Sequence, residues 1–452
     1  MPLISIIIRS KNEEKWIDHC LSSVFSQNHK DFEVILVDNC STDSTLKIAR
    51  RYPVEKILNI DNFLPGLSIN EGIRASSGDY IVCLSAHCVP RNESWLANLI
   101  SNFKDNNVAG VYGRQLPVAF TEPSDKRDLL TVFGEDKRIQ IKDYFFHNAN
   151  SMFRRDIWQE IPFDEEVTNI EDRVWGKKVI EKGYNLIYEP LAGVFHHHGL
   201  HHGNNPERAR GVISVIEKVD HNLVNELPES LKPENSKVCA VIPIKNDEIN
   251  QIPLESLGDL ILDLKSSNFV QEIYILSSEK SISDQFEVKF IDRMKIDKID
   301  NLSLDEVLSK ALGEIEMTGI FPDSLIYINH DYFFRPSDIF DDLIIKQKIN
   351  GYDCVFPGLI DYSHYWSKDK FSDFKQNDSS MYSRDRRSPN YKALYGLGCL
   401  TSSWLIRSGE MIGGKIGILP IYEARYSMRR KEKDYAWIYD KLKFHEAKLN
   451  FT

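Results

Sequence analysis

Three short stretches of the sequence carry residue types suited to binding a nucleotide and moving a group. The first is a pair of polar segments, Arg9-Ser10-Lys11-Asn12-Glu13 and Asp38-Asn39-Cys40-Ser41-Thr42-Asp43, each directly after an apolar run. An aspartate so placed accepts hydrogen bonds from a nucleobase or ribose, with the backbone of residues 9–11 beside it. Ordinary loop solvation is the competing reading. No G-x-G-x-x-G follows the first apolar run, which disfavours a dinucleotide site. The second stretch is Leu84-Ser85-Ala86-His87-Cys88-Val89-Pro90. An imidazole at the end of a strand either ligates a divalent cation that clamps a diphosphate, or is simply a hydrogen-bonded loop histidine. The third is Ile170-Glu171-Asp172-Arg173-Val174-Trp175. Adjacent carboxylates opening a helix either complement its dipole or place one carboxylate in a cleft as general base. His196, His197, His198, His201 and His202 make up five of the chain's 13 histidines. Adjacent histidines cannot all face one ion, so a solvated loop competes with a metal site there.

Stepping from these residues to the elements that hold them, Leu3–Ile8 and Phe32–Val37 read as apolar strands, and Tyr80–Leu84 as a third. Trp16, Ile17, Cys20, Leu21, Val24 and Phe25 recur at helical spacing, and a second helix is expected over Ser44–Arg51. Strand–helix–strand alternation with polar residues after each strand predicts an open, mostly parallel α/β sheet that binds its ligand at the strands' carboxyl ends. The stretch 219–236, with Pro228 and Pro233, reads as a linker. The pattern then restarts: Val238–Ile244 as strand, Leu257–Leu264 as helix, Glu272–Leu276 as strand. Two α/β domains are expected, 1–218 and 237–452.

Length supports that division, since 452 residues exceed one ordinary core. With 42% hydrophobic and 27% charged residues the chain is globular, not disordered. A net charge of −11 argues against nucleic acid as a partner. No apolar run approaches a membrane span, and no charged segment precedes a long apolar stretch as in a signal peptide. The seven cysteines are scattered without a C-x-x-C pair, so a reducing, cytoplasmic setting is expected. No amphipathic basic helix stands out; peripheral membrane contact through a lipid acceptor stays open.

Residues 1–210 resemble the family 2 glycosyltransferases, which have the GT-A (Rossmann-like) fold. The matching stretches are SIIIRSKNEEKWIDHCLSSVFSQ, FEVILVDNCSTDST, SINEGIRASSGDYIVCLSAHCVP and NANSMFRRDIWQEIPFDEEVTNIEDRVWGKKVIEKGYNLIYEP. The resemblance implies a nucleotide-sugar donor bound by Arg9, Lys11, Asp38, Ser85 and Asn150. It places Ser85-Ala86-His87 where the family has Asp-x-Asp, with His87 as ligand of a Mn²⁺ or Mg²⁺ ion and His196 or His198 as a further ligand. Asp172 is then the general base, Glu171 its orienting neighbour, and Trp175 a platform for an acceptor sugar. His147 and Asn148–Ser151 fall where the family shapes its pocket. An inverting transfer to a glycan or lipid-linked acceptor in surface polysaccharide synthesis follows from the resemblance.

Residues 238–440 are similar, more weakly, to the sugar cytidylyltransferases that make CMP-linked acidic sugars, in stretches such as VCAVIPIKNDEINQIPLESLGDLILDL and DSLIYINHDYFFRPSDIFDDLI. This resemblance implies a second, nucleotidyltransferase-like α/β domain, with Lys245 and Arg335 near phosphate. The chain departs from the pattern where it matters. Pro243-Ile244-Lys245-Asn246-Asp247-Glu248 replaces a Gly-rich phosphate loop, and Ser427-Met428-Arg429-Arg430-Lys431 stands where magnesium-binding aspartates belong, with Asp434 the one survivor. Basic residues do not hold Mg²⁺, though arginines take oxyanions directly. Three functions therefore compete: a glycosyltransferase, a bifunctional enzyme that also makes a CMP-activated sugar, and a non-catalytic scaffold that binds sugar nucleotides.

Overall fold

The computed structural model describes residues 3–430 apart from 168–169, 198–209, 211–212, 214–225, 247–253, 298–300, 369–373 and 377–385, with backbone alone for 374–376. The chain divides into two compact units, Met1–Lys232 and Pro233–Thr452.

The first unit is built on one mixed sheet. Its strands are β1 (Ile4–Ser10), β2 (Phe32–Asp38), β3 (Lys56–Asn59), β4 (Tyr80–Ser85), β5 (Cys88–Pro90), β6 (Val108–Leu116), β7 (Arg138–Gln140), β8 (Asn150–Arg154) and β9 (Asn185–His196). They lie in the order β3-β2-β1-β4-β8-β6-β9-β5, with β7 beside β9. β1 through β4 are parallel, and β8 runs antiparallel to both β4 and β6. The expected mostly parallel pairing holds among the first four strands and again between β6 and β9, with antiparallel pairings between and beyond them. The run Ile4–Ile8 is apolar except for the buried Ser5, because β1 is central and covered on both faces. Register sets the polar strand ends side by side: Arg9 opposite Ser85, Ser10 opposite Asp38.

Helices α1 (Ile17–Phe25), α2 (Thr45–Ala49), α3 (Pro65–Arg74), α4 (Trp95–Ile100), α5 (Pro123–Val132), α6 (Arg155–Glu160) and α7 (Glu171–Glu181) flank this sheet. α1 buries Ile17, Cys20, Leu21 and Val24, the i, i+3, i+4, i+7 stripe of an amphipathic helix. α3 opens with proline in its first turn, where the missing N–H costs nothing. It also lies too close to the sheet for a side chain at Gly72, whose Cβ would stand 2.5 Å from Ile7 Cγ2. Residues 226–232, part of the stretch read as linker, pack on this unit: Leu231 joins Trp16, Val89, Leu116, Val118 and Phe195 in one apolar cluster.

The second unit has β10 (Val238–Pro243), β11 (Val270–Ser277), β12 (Lys289–Asp292), β13 (Ser324–Tyr327), β14 (Cys354–Asp361), β15 (Trp366–Lys368), β16 (Phe374–Gln376), β17 (Asn390–Ala393), β18 (Cys399–Ser402) and β19 (Ile416–Ile421). Its main sheet runs β12-β11-β10-β13-β18-β14-β17, with β19 beside β14 and β15–β16 a separate hairpin. Helices Leu254–Ser266, Leu304–Met317 and Ile339–Asn350 cover it. The second of these starts with a reciprocal capping box between Ser303 and Glu306. Among the described residues no helix is long and apolar enough to cross a membrane.

Candidate active site

The floor of the site is made by the ends of β1 and β2. Asp38 is 0% exposed and holds that floor together. Its Oδ1 accepts from Ser10 Oγ at 2.8 Å and Ser41 Oγ at 2.6 Å, and its Oδ2 accepts from the Ser41 N–H at 2.7 Å. The carboxylate expected to meet a nucleoside closes its own turn, with three of its acceptor positions in use. Around it, Asn12 in the left-handed region accepts from the Thr42 N–H at 2.8 Å, and its own N–H donates to Ser41 Oγ at 2.8 Å. Lys11 is exposed beside this turn and donates to the Asn39 carbonyl at 3.3 Å.

The carboxylate pair starts α7, whose N-cap Ile170 takes a left-handed conformation at φ 53°. Glu171 is buried and pairs with Arg9, Nη1 to Oε1 at 3.3 Å; Arg9 also reaches the Pro65 carbonyl at 3.4 Å. Arg9 is thus a strut from β1 to the helix. Asp172 is also buried; its Oδ2 accepts from the Asn148 N–H at 3.1 Å and its Oδ1 from the Arg173 N–H at 2.7 Å. Burial pushes the Asp172 carboxyl above the ordinary aspartate value, and those two N–H groups oppose the shift. A carboxyl so raised is a better proton acceptor when ionised.

A histidine pair faces the same strand ends. β5 and β9 run antiparallel with Cys88 opposite His196. The His87 and His196 rings stack at 5.1 Å with an interplanar angle of 8°. His87 Nδ1 lies 2.7 Å from Glu13 Oε1. An ionised carboxylate only accepts, so Nδ1 carries the proton and Nε2 keeps a lone pair. His196 reaches the same state by a longer chain. The Ala149 N–H points at His147 Nδ1, 3.3 Å away, which makes that nitrogen an acceptor. Gln115 Nε2 must then be what faces it at 3.0 Å, which turns Gln115 Oε1 toward His196 Nδ1 at 2.8 Å. His196 Nδ1 is therefore the protonated nitrogen, and Nε2 is the one with a lone pair.

One ligand atom from each of His87, Cys88 and His196 fits within 4.8 Å of the others. Burial drives the Cys88 thiol well above its ordinary value. The two imidazoles, with tautomers fixed by Glu13 and Gln115, are donors of a type and spacing that suit a divalent cation. Sequence reasoning missed both supporting residues. Glu13 sits in the recognised polar segment, but Gln115 lies inside an apolar strand and carries no local signal. His198, His201 and His202 fall outside the described residues.

Two further expectations are corrected. Trp175 is 0% exposed, donates from Nε1 to the Ile161 carbonyl at 2.8 Å, and packs against Phe146, Phe153 and Phe163. A ring sealed in the core offers no face to a sugar. Asn150 is equally buried; it accepts from Trp95 Nε1 at 2.9 Å and donates to the Arg114 and Ala192 carbonyls at 3.2 and 2.8 Å. With its amide used on three sides and no surface exposed, it clips β6, β8 and β9 together. Ser85 is half-buried at the end of β4 and gives its N–H to the Ala149 carbonyl at 3.2 Å. In the second unit Lys245 is exposed just after β10, and Arg335 donates from Nη2 to the Asn329 carbonyl at 2.5 Å.

Residues 5–161 match the family described as Glycosyl transferase family 2. The O-antigen chain rhamnosyltransferase WbaN of Salmonella anatum is 27% identical over 212 residues, covering 44% of this chain and 67% of that protein. Glycosyltransferase AglE of Haloferax volcanii is 29% identical over 201 residues, covering 42% of this chain and 64% of that protein. The chain spans about two thirds of the length of these curated relatives. Among solved structures, the mannosyltransferase PcManGT of Pyrobaculum calidifontis, in complex with GDP-Man and Mn²⁺, is 22% identical with a TM-score of 0.36, covering 43% of this chain and 57% of that one.

Proposed function

We propose that the first unit is an inverting glycosyltransferase of the GT-A type, moving a sugar from a nucleotide-sugar donor to a glycan or lipid-linked acceptor in surface polysaccharide synthesis. The glycosyltransferase match over residues 5–161 and the O-antigen relative support that activity and pathway. One structural observation carries the site. Arg9 holds Glu171 through its side chain, while its backbone carbonyl accepts the Ala86 N–H at 3.2 Å. A single residue thus ties the carboxylate pair to the segment that bears His87. The unpaired cysteines fit a reducing, cytoplasmic setting.

A divalent cation held by His87 and His196 would supply neutralisation of the charge that builds on the departing nucleoside diphosphate. The rest is done by the chain. Asp172 accepts the proton of the acceptor hydroxyl as that oxygen bonds to the anomeric carbon. The bond from that carbon to the diphosphate oxygen breaks on the opposite face, so the configuration inverts in one displacement. Glu171, neutralised by Arg9, keeps Asn148 in place, and Asn148 presents its N–H to Asp172. Two N–H donors on Asp172 leave acceptor capacity on both oxygens for the incoming hydroxyl.

The test is a thermal-shift screen of the chain against UDP-, GDP-, dTDP- and CMP-sugars with and without Mn²⁺, followed by transfer and donor-hydrolysis assays with the stabilising donor. Metal-dependent stabilisation with turnover supports the enzyme. Stabilisation with neither transfer nor hydrolysis would instead support a binding scaffold.

A further inference from the structure

The second unit repeats the first strand for strand. β10, β11, β12, β13, β14, β18 and β19 take the places of β1, β2, β3, β4, β6, β8 and β9, in the same chain order and the same sheet order. The sense of every pairing agrees. β10–β11, β11–β12 and β10–β13 are parallel, as are β1–β2, β2–β3 and β1–β4. β13–β18 and β14–β18 are antiparallel, like β4–β8 and β6–β8, and β14–β19 is parallel like β6–β9. The sequence echoes this at one point. Lys11-Asn12-Glu13-Glu14 follows β1, and Lys245-Asn246-Asp247-Glu248 follows β10.

That echo fixes an alignment of the strand ends. With Lys11 matched to Lys245, Ile8 matches Ile242. Ile8 lies opposite Leu84, and continuing the Val241–Tyr327 register puts Ile242 opposite Ile328. Ser85-Ala86-His87 is then matched by Asn329-His330-Asp331. The N–H of the first residue in each triplet donates to the segment before the neighbouring antiparallel strand, Ser85 to Ala149 and Asn329 to the Gly396 carbonyl at 2.9 Å. In both sheets the strand order reverses here, between β1 and β4 and between β10 and β13. Ligands of open α/β sheets sit outside the carboxyl ends of the strands at such a point.

The chemistry placed there differs. His87 is matched by Asp331, but that carboxylate is 2% exposed and already paired with Arg429, Nη2 to Oδ2 at 3.1 Å. The Arg430 N–H donates to the Asp331 carbonyl at 2.8 Å, and its guanidinium stands 4.7 Å over the Phe333 ring. Arg335 binds the Asn329 carbonyl on the same turn. Nε of Arg335 and Nε of Arg429 are buried without an acceptor among the described residues. Three guanidiniums therefore gather at one switch point, with two unused buried donors.

We propose that the second unit is a second diphosphate-binding unit, in which Arg335, Arg429 and Arg430 hold a nucleoside diphosphate at the carboxyl ends of β10 and β13 without a metal ion. Guanidinium forks bind phosphate oxygens bidentately and supply the positive charge that a cation supplies elsewhere. The choice of nucleotide as the ligand rests on the reading of the first unit.

The two sites separate by their need for metal. UDP, CDP, GDP and dTDP are titrated calorimetrically into the full-length chain, with Mn²⁺ and with EDTA. One of them is expected to bind in EDTA, and to bind unchanged in a His87→Ala variant. Arg430→Gln is expected to weaken that binding at least about tenfold, as loss of a charged hydrogen bond does. Arg429→Gln takes a guanidinium from the buried Asp331 carboxylate and risks misfolding. The double variant Asp331→Asn/Arg429→Gln removes both charges and should show the same loss with the fold retained by circular dichroism. Three results would overturn the proposal: no EDTA-resistant binding of any of the four, binding unaltered in both arginine variants, or a second site in His87→Ala that appears with Mn²⁺ only. Failure of the first unit's assignment looks different, as missing metal-dependent transfer while EDTA-resistant binding persists.

Discussion

Replacing Asp172 by asparagine separates proton transfer from everything else the site does. Asp172 accepts two backbone N–H groups, from Asn148 at 3.1 Å and Arg173 at 2.7 Å. An asparagine keeps the volume but offers one carbonyl oxygen, so one of those N–H groups faces an amide NH₂, at a cost of about 1–3 kcal/mol. Against this stands the relief of a buried charge, since burial raises the wild-type carboxyl's pKa. The sign follows from the direction of the shift. A carboxyl raised above its unfolded value contributes stability below the unfolded value and loses it as pH rises through the folded one. The variant should therefore gain on the wild type as pH increases from acid to neutral, and remain folded. Activity behaves otherwise. Loss of a general base costs about 10²–10⁴ in rate, or about 3–5 kcal/mol of barrier. The assay is transfer of a radiolabelled sugar to a verified acceptor, beside calorimetric titration of the donor. Transfer should collapse while donor affinity stays. In the wild type the acid limb of the rate profile should lie above that of an unperturbed aspartate. Near-wild-type transfer by Asp172→Asn would refute the base assignment.

Three further outcomes follow from the geometry. His87→Ala should abolish the Mn²⁺-dependent gain in nucleoside diphosphate affinity measured by calorimetry, whereas an unchanged gain would make His87 a purely structural residue. Gln115→Leu, which releases His196 to either tautomer, should weaken that same metal-dependent affinity about tenfold or more; Gln115→Glu, which still accepts from His196 Nδ1, should recover most of it. Trp175→Phe should lose about 1–3 kcal/mol of stability in urea with no change in acceptor KM, because the indole bonds Ile161 inside the core.

Much of the first unit's frame was legible, because the strand ends are marked by abrupt changes from β-branched to polar residues. Ile4–Ser10, Phe32–Asp38 and Tyr80–Ser85 fall within two residues of the expected bounds. Trp175 was misplaced for a physical reason. Its place beside an acceptor came from the family resemblance, whereas Trp175 and Val179 form the buried stripe of α7 at i, i+4 spacing. Asn150 was likewise placed at the donor by resemblance, and only the three-dimensional sheet sets Trp95 and two carbonyls around it. The reversal of strand direction at β8 left no mark on the sequence, since antiparallel and parallel buried strands share the same apolar character. The restart of the strand–helix–strand pattern at Val238 was legible, but the full repeat of strand order in the second unit was not, with one short tetrapeptide to betray it.

His87 and His196 are held by the sheet, not by each other. Cys88 and His196 are partners across β5 and β9, and the 5.1 Å between the two rings is close to the spacing of neighbouring strands. Asn150 adds rigidity behind them by gripping the carbonyls of Arg114 and Ala192, the first just before Gln115 and the second on the strand that ends at His196. The ordering entropy of this histidine pair is thus spent when the protein folds, and under the proposed cation role an arriving ion would meet a jaw of fixed width. Such a jaw would select ions by size and have little room to adapt. It would also make cation affinity a reporter of the sheet, so that packing defects at Trp95, or at Gly113, where a Cβ would clash with Asn150 Nδ2, should register first as a lost ion and only later as a lost fold.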